Sequence, residues 1–205
     1  MRTRTKSALI LIAVGALPVW ANAHIGHETG ETMHSHASAF LGGFVHPLTG
    51  PDHLAAMVAV GLWSALVARR AWPDLLWAPL GFAAMLLAGA LLGLQGLQLP
   101  AVEPMIAASL LVIGLLVLTR WRLSGMAAAG LVGVFALFHG LAHGHELAGD
   151  ANALPVLAGM LAATVALHAG GVAVGWALRH AHAWVPRLAG ACVAIFGLVL
   201  LGRLA

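Results

Sequence analysis

Cysteine is almost absent from this chain. Cys192 stands alone, so neither an internal disulfide framework nor a thiolate metal cage can form. Set in the last apolar run, it reads as a small buried hydrophobe. Charge is scarce too: Asp, Glu, Lys and Arg make up 8% of the 205 residues, against 61% hydrophobic ones. Soluble domains of this length do not have that composition, and polytopic membrane proteins do. The net charge is only +3, and the arginines stand singly or in pairs between apolar runs. That pattern fits positive-inside topology and excludes a nucleic-acid-binding patch.

The first 23 residues read as a cleavable secretory leader. Arg2, Arg4 and Lys6 precede a short apolar stretch, and Ala21-Asn22-Ala23 has the small residues that a cleavage site needs. Cleavage would leave His24 as the mature N-terminus, outside the cytoplasmic membrane. Residues 24–38, HIGHETGETMHSHAS, have no core of their own and read either as a metal-binding tract or as a solvated linker. A free His24 would offer both an amine and an imidazole.

Residues 39–205 form the membrane domain. Apolar runs at 40–68, 72–97, 103–119, 124–146, 153–178 and 184–201 predict six transmembrane helices in an all-α fold. With the mature N-terminus outside, Arg69, Arg70, Arg120, Arg122, Arg179 and Arg187 fall on the cytoplasmic side and Arg203 outside, so both mature termini are periplasmic. Glu103 and Glu146 fall at outer ends of spans. GxxxG spacings at Gly89/Gly93 and Gly171/Gly175 predict close helix packing, within the chain rather than in a dimer. Trp63, Trp77, Trp121 and Trp184 fall near cytoplasmic ends, as interfacial anchors or packing residues.

The chemistry lies in two stretches. HPLTGPDHLAAM, residues 46–57, puts His46, Asp52 and His53 inside an apolar run. An ionised Asp at the centre of a spanning helix costs roughly 2.5–3.5 kcal/mol, so it must face a cavity or a partner. His46, Gly50 and His53 share one helical face, while Pro47, Gly50 and Pro51 can break the helix and free backbone groups to line a site near the midplane. FHGLAHGHE, residues 138–146, puts His139, His143 and Glu146 on a second face, with His145 pointing elsewhere. Counting rise along straight helices places His53 roughly 20 Å below Phe40 and His139 roughly 10 Å below Glu146. Both sets would then line one path from the outer surface to mid-bilayer, with His168 deeper. The HxxxH spacing lacks the glutamate of a zinc-hydrolase helix, since residue 140 is Gly. Imidazole nitrogens with carboxylate oxygens and no sulfur suit nickel, cobalt or zinc. An intramembrane zinc hydrolase and a bis-histidine haem protein are the rival readings. The second motif opens a second set of three spans, which is compatible with a 3+3 inverted repeat.

Residues 46–63, HPLTGPDHLAAMVAVGLW, and FHGLAHGHE resemble the first-helix and fourth-helix signatures of the HupE/UreJ family of hydrogenase- and urease-associated nickel permeases. VEPMIAAS, residues 102–109, is similar to the start of that family's third helix and places Glu103 near the entrance. The resemblance implies a transporter, not an enzyme, that takes nickel or cobalt across the bacterial inner membrane for metalloenzyme maturation. It implies no permanently bound cofactor, since the metal is cargo, and cytoplasmic metallochaperones of urease or hydrogenase as partners. It carries the metal-handling role onto His46, Asp52, His53, His139, His143 and Glu146.

Overall fold

The computed structural model describes residues 36–69 and 72–204, in which seven helices and no strand are found. The leader, His24 and most of the histidine tract lie outside the described residues. The helices are α1 (His36–Thr49), α2 (Pro51–Val67), α3 (Trp77–Leu94), α4 (Val102–Thr119), α5 (Gly125–Glu146), α6 (Ala153–Leu178) and α7 (Trp184–Leu204). The last five are each long and apolar enough to cross a membrane, and α1 and α2, bent by 78° at their junction, are together apolar enough for a sixth when the pair is counted as one span. The chain is a multi-pass α-helical membrane protein, as its composition predicts.

The break follows from local chemistry. Pro51 has no N–H to give the Pro47 carbonyl, and Gly50 at the N-cap is extended, with φ −78° and ψ 110°. Pro51 then takes the first position of α2, where its missing donor costs nothing. Gly50 N–H closes the last bond of α1 on the His46 carbonyl and its own carbonyl accepts the first bond of α2. The sharp bend corrects the straight-helix depth count. His53 packs beside His143, which is one turn from the end of α5, so the two lie at one level of the bundle.

Helices pair through glycine. A Cβ on Gly140 or Gly144 of α5 would strike the backbone of Leu86 or Ala90 in α3, and one on Gly89 or Gly93 would strike Leu137 or Leu141 in return. Similar seams join α4 to α7 at Gly114 and Gly190, and α2 to α6 at Gly61 and Gly171. Without a hydrophobic drive between helices in lipid, such close backbone approach supplies the packing. The GxxxG spacings therefore serve contacts within the chain. α3 ends on Gly96, whose φ of 85° allows Leu97 N–H to reach the Leu92 carbonyl and Gly96 N–H the Gly93 carbonyl.

One expectation needs revision. Cys192 is exposed, because α7 turns Gly190, Ala194 and Gly197 inward and leaves the cysteine on its outer face. Of the two roles expected for the tryptophans, Trp63 takes packing: it is fully buried and its indole N–H donates to the Trp121 carbonyl at 3.0 Å, whereas Trp77, Trp121 and Trp184 are exposed.

Candidate metal-ion site

Three helices bring three imidazoles together. His46 comes from the last turn of α1, His53 from the first turn of α2 and His143 from the last turn of α5. One ligand atom from each lies within 4.8 Å of the other two. Two nitrogens on one divalent ion at about 2.1 Å can be no more than ~4.2 Å apart, so the rings must close by about half an ångström or more to share an ion. His53 and His143 are buried, and His46 is half-buried.

Carboxylates decide which nitrogen each ring offers. Asp52 Oδ1 accepts from His53 Nδ1–H at 3.0 Å, and Glu146 Oε2 accepts from His143 Nδ1–H at 3.4 Å. Both rings therefore turn Nε2 toward the centre, where the two Nε2 atoms are 2.7 Å apart. Two lone pairs at that distance repel, and a proton between them relieves the repulsion. His46 completes the set, and its Nε2 is buried without a hydrogen-bond partner. A cavity of about 20 Å³, lined in part by His53, His143, Met57, Met160 and Thr164, adjoins the cluster and has room for one water or one ion.

Asp52 and Glu146 thus orient the His53 and His143 rings, an arrangement also found around metal-binding histidines elsewhere. His139 sits one turn below His143 and outside the three-histidine group, its ring centroid 5.4 Å from that of His53. Ser109 of α4 gives its hydroxyl proton to the Ile106 carbonyl at 2.6 Å, so its oxygen accepts from His139 Nε2–H at 3.1 Å. His139 Nδ1 is then a bare lone pair, buried and unpartnered. Phe82 lies against both His139 and His168, at centroid distances of 5.9 and 5.1 Å, and His168 Nε2 is also buried without a partner. Spacing alone did not identify Ser109 or Phe82, because a lone Ser or Phe in an apolar helix carries no pattern.

The remaining sequence candidates lie apart. Glu103 is exposed in the first turn of α4, and no hydrogen bond or ion pair ties it to the cluster among the described residues. His145 points away, with Gln98 Nε2–H donating to its Nε2 at 3.3 Å.

The family model described as HupE / UreJ protein matches residues 11–200. Protein HupE of Rhizobium leguminosarum bv. viciae is 41% identical over 193 residues, covering 93% of this chain and 94% of the relative. No solved structure matches the chain. Both histidine motifs fall within a match that spans nearly every described helix, and the chain belongs to the HupE/UreJ family.

Proposed function

We propose that this protein carries nickel, or cobalt, across the bacterial cytoplasmic membrane to supply metalloenzyme maturation. The observation that carries this reading is the convergence of His46, His53 and His143 on one point, with two rings held by carboxylates. Three neutral imidazoles bind a first-row divalent ion yet leave coordination positions open, which suits a cargo that must leave again. Asp52 and Glu146 offset its two positive charges. Zinc would accept the same donors, and the preference for nickel and cobalt rests on the family.

The ion would enter at the histidine end, drawn by Glu103 and Glu146 and supplied by His24 and its tract. It would pass from the cluster to the bare nitrogen of His139 and on to His168, with Phe82 between them. Cytoplasmic metallochaperones would receive it at the arginine end. The charge distribution supports periplasmic termini, since Arg69, Arg120, Arg122, Arg179 and Arg187 gather at the opposite end from the cluster.

Helix pairing supports two inverted halves. Taking α1 with α2 as one span, the first span packs on the fifth and the second on the fourth, while the third packs on the sixth. Exchange of the two three-span halves maps the first pairing onto the second and the third onto itself.

Reconstitution into vesicles with a trapped nickel-responsive dye tests the function. Saturable nickel entry above that of empty vesicles is expected. Entry no faster than in empty vesicles, for nickel and cobalt alike, would overturn the proposal.

A further inference from the structure

At the end of the bundle opposite the histidines, the C-terminal ends of α2, α4 and α6 surround a cavity of about 350 Å³. Arg120, Arg122, Arg179 and His180 line it, and among the described residues no carboxylate does. Asp74, on the same end, lines the adjoining cavity, where its carboxylate accepts the backbone N–H of Arg69.

The arginines differ in how their donors are used. Arg179 is committed: it donates to the carbonyls of Ala65 and Ala68 at the end of α2, and its guanidinium lies 4.3 Å from the centroid of the Trp176 ring. Arg120 is not. Its Nε and Nη2 are buried and have no hydrogen-bond partner. A buried guanidinium with unused N–H groups is costly, and native proteins satisfy such groups with an ion, a water or a ligand. Arg120 also holds a left-handed backbone, φ 53°, at the end of α4, a conformation that glycine takes more cheaply. Unused donors beside a cation-lined cavity call for an anion, and the planar fork of arginine matches phosphate oxygens two at a time.

The level of the cavity narrows the source. Trp121 and Trp176 are exposed beside it, at 65% and 47%, and exposed tryptophans at helix ends mark the headgroup layer. Basic pockets between transmembrane helices at that level hold anionic headgroups.

We propose that this cavity binds a phosphate group of net negative charge, with Arg120 as its principal donor, carried by an anionic phospholipid or as the free ion. The site is independent of the metal cargo. Purified full-length protein in neutral detergent is melted with phosphatidylglycerol, with phosphatidylcholine, or with inorganic phosphate against chloride at equal ionic strength. Phosphatidylglycerol is expected to raise Tm saturably and phosphatidylcholine not to, with half-saturation weakened at least fivefold in Arg120→Gln. A rise with inorganic phosphate that is lost in the same variant assigns the free ion instead. Equal shifts from both lipids with none from phosphate overturn the proposal, and so does an unchanged response in Arg120→Gln. If that variant does not insert, Arg122→Gln is melted in its place. Native mass spectrometry of the wild type then adds a second readout. At least fivefold preferential retention of phosphatidylglycerol or phosphate is expected, and equal retention of phosphatidylcholine contradicts the site.

Discussion

Asp52 determines which nitrogen of His53 carries the proton, and so which one can bind metal. With the carboxylate at 3.0 Å from Nδ1, Nε2 is left bare and faces His143. Removing the charge while keeping the shape should release the ring, and outer partners of this kind typically contribute about 10–100-fold in metal affinity. Asp52→Asn is therefore expected to weaken nickel binding by at least tenfold, measured by titration calorimetry on purified protein. Glu146→Gln should do less, because its contact is longer, at 3.4 Å, and its side chain is 40% exposed. Equal losses in both variants would count against the orienting roles. The sequence made His46, His53, His139, His143 and the two carboxylates visible, since ionisable groups in an apolar run have few bland explanations. It could not separate ligands from their supports, because the bend that sets Nε2 against Nε2 is a tertiary fact. Ser109 and Phe82 were invisible for the same reason.

At the scale of helices, backbone contact does most of the positioning. Gly140 and Gly144 flank His143 on α5, and the carbonyl of Ala90 occupies the place a side chain at Gly144 would need. Gly144→Leu should force α5 from α3, and overpacking of this kind costs about 1–3 kcal/mol. A lower Tm in detergent together with weakened nickel binding is expected, and a Tm equal to wild type would show that the seam tolerates a side chain. The break at Gly50-Pro51 could be read directly, since proline chemistry is local. Its angle could not, and counting rise along an assumed straight helix put His53 too deep. Cys192 was misplaced for a related reason: in a span that is apolar all round, sequence does not say which face meets protein and which meets lipid.

For the whole molecule, span number and the arginine-rich end followed from composition and charge, because the bilayer imposes both. The pairing of spans did not, since lipid-facing and protein-facing surfaces are equally apolar. Metal uptake should also respond to pH with a definite sign. Protons and metal compete for imidazole nitrogen, and the 2.7 Å contact between His53 Nε2 and His143 Nε2 is a hydrogen-bond distance, one that a proton bridges. Acidification raises the proton's share of these nitrogens, so nickel entry into vesicles at fixed nickel should fall as the pH is lowered from about 7.5. A rise on acidification would contradict competition at this cluster. The central claim is that the three-histidine cluster lies on the route of a transported ion. Its most direct test is labelled nickel accumulation in cells expressing equal amounts of inserted wild type or His53→Ala, with cobalt, zinc and copper as competitors. Saturable uptake by the wild type, displaced best by cobalt and lost in His53→Ala, is the predicted result, and wild-type accumulation in the variant would contradict it.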